Sequence, residues 1–199
     1  MKKIIFIICS FFLACCSSIK TEEKIIQDFA IQSSLLKNNS RNPTYLISEA
    51  ESRTKSLEYY EIAYLERKNP DGIRRKIDCS RNTTIERPID STEINTLKKK
   101  YKKDTISYYW KKKDFKKLQI PIIKNNELRV KMKSDDFPTG TIAYIFSKPI
   151  ISLNGKFALL FYSDIGYFRK TDGGDGKTVL LEKVEQKWVI KNSFSKSFD

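Results

Sequence analysis

Thr141-Ile142-Ala143-Tyr144-Ile145-Phe146, then Asn154-Gly155, then Phe157-Ala158-Leu159-Leu160-Phe161-Tyr162, is the stretch that decides the fold. Two runs rich in β-branched and aromatic residues flank a dipeptide favoured in the type I′ hairpin, where both central residues need positive φ. The spacing predicts a strand over 141–146, a turn at Asn154-Gly155 and an answering strand over 157–162. Residues 177–184 and 187–191 repeat the arrangement around Glu185-Gln186. Four strands with short turns predict an antiparallel meander spanning 141–191, with one face packed against helices.

Helical patterns lie upstream. Thr21-Glu22-Glu23 places a capping hydroxyl and two acids at a helix start. Ile25, Phe29, Gln32 and Leu36 follow at helical spacing, so residues 21–37 read as an amphipathic helix. Residues 38–43 form a polar break. Asp90, with Glu93 three residues on, has the form of a capping box, and Ile94, Leu97 and Tyr101 make the apolar stripe of a helix over 90–102. Between these two, residues 57–66 fit helix or strand, because Tyr59, Tyr60, Ile62, Tyr64 and Leu65 occupy both faces. Asn69-Pro70-Asp71-Gly72 is a turn signal and 73–79 reads as a returning strand, so a hairpin is expected here. The expectation is one α+β domain over 15–199: an antiparallel C-terminal sheet packed against one or two N-terminal helices. No internal repeat is visible.

The first residues carry a different message. Lys2 and Lys3 precede an apolar run from Ile4 to Ala14 that only Ser10 interrupts. At a helical rise of ~1.5 Å per residue the run spans roughly 16 Å, well short of a ~30 Å hydrocarbon core. It reads as an export signal over 1–14. Leu13-Ala14-Cys15 at its end resembles the lipobox of bacterial lipoproteins. That resemblance implies cleavage after Ala14 and a diacylglycerol thioether on Cys15, with Cys16 as the alternative acceptor. Several acyl chains on one residue anchor stably, where one chain binds only marginally. Cys9 leaves with the signal, and Cys79 is then the one cysteine of the body, read as a buried thiol.

Composition bounds the chemistry. The 199 residues contain no histidine, which excludes Ser-His-Asp and Cys-His catalysis and His-ligated zinc. The formal net charge is +14, which favours an anionic partner, although a coding bias toward Lys, Ile and Asn gives the same balance. The lysines concentrate in 98–117. Lys98, Lys99, Lys100, Lys102, Lys103, Lys111, Lys112, Lys113, Lys116 and Lys117 are interleaved there with Tyr101, Tyr108, Tyr109, Trp110 and Phe115. Lysines can meet phosphates while rings sit at a lipid interface. Export argues against nucleic acid, so the candidate partner is an anionic lipid or glycan surface. The alternative is a solvated helix face with the rings in the core. Gly173-Gly174-Asp175-Gly176-Lys177-Thr178 ends like a phosphate-binding loop, but Thr171 stands where the first glycine belongs and a strand follows, so 164–177 reads as a hairpin loop. Asp135-Asp136, beside Pro138, lacks the spacing of facing catalytic carboxylates. No metal or cofactor is implied.

Phe146-Ser147-Lys148-Pro149-Ile150-Ile151, followed by the turn, Ala158-Leu159-Leu160 and a final strand with Lys187-Trp188, is similar to small uncharacterised lipoproteins of the Bacteroidota, flavobacteria in particular. The likeness runs from the Asp90 helix to Trp188. It implies lineage and no activity. This chain lacks the cysteines such relatives often carry between Asp164 and Lys177. The function expected is a membrane-anchored binding or structural module of the cell envelope. An immunity-type protein neutralising an envelope-acting toxin comes second, and an enzyme working without histidine third.

Overall fold

Continuous apolar runs must be covered wherever they face water, and here that requirement draws helices onto both faces of one sheet. The computed structural model describes residues 21–36, 43–68, 87–102, 108–115, 118, 120–138, 140–166 and 176–195. Its strands are β1 (Thr44–Ile47), β2 (Ile122–Ile123), β3 (Ile142–Phe146), β4 (Ile150–Ile151), β5 (Phe157–Gly166), β6 (Lys177–Val184) and β7 (Lys187–Ser195). The helices are α1, described over 21–33, α2 (Thr54–Lys68), α3 (Ser91–Tyr101) and α4 (Asn125–Lys131). The sheet order is β2-β1-β3-β5-β6-β7, with β4 paired to β5. The α+β class is as expected, and β3, β5, β6 and β7 form the expected antiparallel meander. Beyond it lies an addition that strand spacing did not reveal. β1 pairs in parallel with both β3 and β2, through Leu46 opposite Tyr144 and Ile122.

The two-residue turn expected at Asn154-Gly155 is found instead at the other hairpin. Glu185 and Gln186 have φ of 43° and 68°, so this pair adopts the two-residue turn with both central residues left-handed. At Asn154-Gly155 the structure instead has a four-residue loop between Ser152 and Phe157. Gly155 N donates to Ser152 O at 2.9 Å, Gly155 alone takes positive φ (69°), and the Asn154 side chain accepts from Lys156 N at 2.9 Å. The Asn154 carboxamide closes an Asx-type turn, which removes the need for a left-handed Asn154.

One face of the sheet presents Tyr144, Phe146, Ala158, Leu160, Val179, Leu181 and Trp188 to α1, through Ile25, Ile26, Phe29 and Ala30. The other presents Leu159, Leu180 and Phe194 to α2 and α3, through Leu57, Tyr60, Ile94 and Leu97. Ala143 and Ile47 on that second side meet Leu128 of α4 and Phe137. So both faces are covered, not one. β7 serves both layers. Ile190 pairs with Leu181 and Asn192 with Leu180, which leaves Lys191 as an extra residue. A bulge of this kind turns the following side chains over. Trp188 and Ile190 therefore face α1 while Phe194 packs edge-on to Tyr60 at 5.4 Å.

α1 ends at residue 33, short of the expected 37, where Ser34 takes a left-handed φ of 55°. Its last turns close the open side of β7. Asp28 Oδ2 accepts from Trp188 N at 3.0 Å, Gln32 Oε1 accepts from Ile190 N at 3.1 Å, and Gln32 Nε2 donates to Trp188 O. Three backbone groups of an edge strand are thus satisfied by helix side chains, as a neighbouring strand would satisfy them.

The expected hairpin over 57–79 is overturned in its first arm. Residues 54–68 are helical, with Leu57, Tyr60 and Ala63 buried at spacings of three. Tyr59 and Tyr60, whose bulk on both faces left helix and strand open, both turn their rings to the sheet, Tyr59 on Phe161 at 5.2 Å and Tyr60 on Phe194 at 5.4 Å. The second arm and its turn lie outside the described residues. So do Cys79, the glycine-rich segment 167–175 and the signal with Cys15 and Cys16. The α3 start is capped as expected by Asp90, whose Oδ1 accepts from Glu93 N at 2.8 Å. The Glu93 carboxylate, expected to return to Asp90, accepts instead from Leu153 N in the β4–β5 loop and so ties α3 to the sheet.

Candidate functional site

The basic stretch is divided between two layers. Lys98, Lys99 and Lys100 sit in the last turn of α3, where cations suit the helix dipole, and Lys102 is its C-cap. Lys99, Lys100 and Lys102 are exposed, whereas Lys98 is drawn onto Glu61 of α2 as an ion pair. Lys103, Lys116 and Lys117 lie outside the described residues. Lys111, Lys112 and Lys113 are exposed around a 3-10 turn, Lys112–Phe115. Most rings of this segment go inward. Trp110 is 3% exposed and donates Nε1–H to Phe146 O at 3.2 Å. Phe115 packs on it at 5.5 Å. Trp110 was expected among the surface-binding residues, and burial places it in the core instead, since an indole held edge-on by two rings with its N–H satisfied gains nothing from solvent. Tyr109 remains half exposed at 51%.

What joins the two lysine groups is a knot of charges at the start of α1. Glu22 receives two cations: Lys148 Nζ on Oε2 at 2.8 Å and Arg53 Nη1 on Oε1 at 3.4 Å. Each cation also lies over a ring. Arg53 stands 4.7 Å from the centroid of Tyr101, and Lys148 stands 4.7 Å from that of Tyr108. Arg53, only 7% exposed, reaches Pro149 O at 3.5 Å as well. Tyr101 ends α3 and Tyr108 leads into Lys111, Lys112 and Lys113, so the two ends of the basic stretch both come to α1. Asp114 secures the second of them. It is buried, and accepts from Lys111 N at 2.8 Å and Tyr108 Oη at 3.4 Å, while its backbone O accepts from Gln27 of α1 at 2.8 Å. Burial first, and then the Asp114 charge, push the Tyr108 hydroxyl up to about 12.

This geometry can place positive charge on a surface. No group of three or more Cys, Asp or Glu among the described residues is placed to hold a metal ion. Asp135 and Asp136 are exposed in the turns after α4. An open groove of about 520 Å³ beside β2 has Lys112, Ile120, Pro121 and Ile122 as its described lining. No family model, curated protein or solved structure matches this chain. The lysines were visible in the sequence. Glu22, Arg53 and Lys148 were not, because they come from three distant parts of the chain and meet only in the fold. Their one advance signal was Tyr101 and Tyr108 as rings among cations.

Proposed function

We propose that this chain is a lipid-anchored module of the bacterial cell envelope, binding or bracing a partner there. The carrying observation is Leu13-Ala14-Cys15 at the end of a short apolar run. Two features support the reading. First, α1 is packed into the core through Ile25 and Ile26, and only five residues separate Cys15 from Thr21, so the domain follows the anchor on a short tether. Second, the exposed polar surface beside α1 is lysine-rich, while most aromatic side chains nearby are committed to packing. The test is mass spectrometry of the protein recovered from its own envelope. The expected mature N-terminus is Cys15 carrying diacylglycerol, and Cys15→Ser is expected to abolish membrane retention. Acylation at Cys16 would move the processing site by one residue and leave the function intact. An unmodified soluble protein would refute the proposal.

A further inference from the structure

We infer that the surface around the start of α1 faces the anionic headgroups of the membrane that holds the anchor, with Lys100, Lys102, Lys111, Lys112 and Lys113 as its contacts. The inference rests on the lipid-anchor reading and adds an orientation and a partner to it.

Reach comes first. From Cys15 to Thr21 is six residue steps, and a chain spans at most ~3.6 Å per step, so the helix start stays within about 22 Å of the acylated cysteine. The start of α1 is also fixed to the body of the domain. Glu22 is clamped by Arg53 and Lys148, Ile25 and Ile26 are fully buried, and Gln27 bonds the Asp114 backbone. The domain cannot swing away by unwinding its first turn without breaking that cluster. Whatever flanks this helix start is therefore held near the headgroups.

What flanks it is positive. Lys100 lies 5.2 Å from the ring of Tyr101, the ring that Arg53 covers, with Lys102 beyond it. Lys111, Lys112 and Lys113 follow Tyr108, the ring that Lys148 covers. The acids nearby are largely answered: Glu22 by two cations, Glu51 by Lys55 at 2.9 Å, Glu61 by Lys98, and Asp114 by its buried hydrogen bonds. Charge attraction at such a surface acts over ~8–10 Å at physiological salt, which matches a domain held close and not one on a long stalk.

The experiment uses the lipidated protein purified from its membrane and reconstituted in vesicles of phosphatidylcholine alone or with phosphatidylglycerol. Lysines are acetylated briefly and read by peptide mass spectrometry. The five lysines are expected to label roughly three- to tenfold more slowly in the anionic vesicles at low salt, and to recover as salt screens the attraction. Lys133, after α4, and Lys183, near the β6–β7 turn, belong to neither side of the cluster and are expected to label alike in both. Equal labelling of the five lysines in both vesicle types, with the anchor intact, would overturn the orientation and leave the anchor reading standing. Protection by a soluble sulfated polysaccharide but not by phosphatidylglycerol would assign the surface to glycan and overturn it too. Absence of acyl groups from the protein's cysteines would overturn both.

Discussion

Gln32→Ala tests how the β7 edge is closed. The side chain donates to Trp188 O and accepts from Ile190 N, and the truncation removes both bonds at once. Each is worth about 0.5–1.5 kcal/mol net, and the exposure of Gln32 places both toward the lower end. Alanine returns a few tenths of a kcal/mol through helix propensity. The expected loss is therefore about 1 kcal/mol in chemical denaturation at unchanged m-value. The local readout is sharper. The Ile190 amide loses its acceptor and should exchange faster, while the Trp188 amide keeps Asp28 and should exchange as before. Gln32→Glu separates the two bonds, because a carboxylate still accepts from Ile190 but cannot donate to Trp188. Unchanged stability together with unchanged Ile190 exchange would refute the closure of this edge by α1.

The turn pair offers a gain. Glu185→Asn with Gln186→Gly should raise stability by about 1–2 kcal/mol, because both positions are left-handed and neither native residue prefers that region; an unchanged melting temperature would count against it. Gly155→Val should lower stability by on the order of 1–3 kcal/mol through backbone strain alone, since a Cβ there meets nothing within 4 Å. Gly176→Ala should also destabilise, by about 1–3 kcal/mol, for the opposite reason: its Cβ would fall 2.5 Å from the Phe161 ring. Both glycine variants are checked by denaturation midpoint. Tyr108 and Tyr162 are each pushed up to about 12, chiefly by burial. Unfolded tyrosines ionise first, so their contribution is complete below about pH 10 and is lost as pH rises from there toward 12. In absorbance titration, Tyr108→Phe and Tyr162→Phe should each remove one late-ionising ring.

The meander was legible because its strands are long, β-rich and joined by short turns, which local spacing reports well. α3 was legible from Asp90, whose cap is a local bond. α2 was not, because three tyrosines spread bulk around the helix, and only contact with Phe161 and Phe194 decides which side is inward. β1 and β2, four and two residues long, owe their parallel pairing to partners far along the chain. Cover on both faces was already present in residues 157–162, where apolar residues occupy both parities, as strands buried on two sides require. At the candidate site charge density was visible, but the direction of each ring was not. Trp110 and Tyr109 are neighbours in sequence, yet one is core and the other half exposed.

The extra residue at Lys191 makes β7 a shared wall. Its first half belongs to the layer under α1 through Trp188, and its second half to the layer under α2 through Phe194. Neither layer can melt while the other keeps this strand in register. The two cores are thereby coupled into one cooperative unit, and heat or denaturant should unfold them in a single transition. Deleting Lys191 itself would only straighten the ladder, leaving Asn192 opposite Leu180, whereas deleting Ser193 would bring Phe194 opposite Val179 and aim it at the α1 layer, so a change confined to one strand should be felt as far away as Tyr60 in α2.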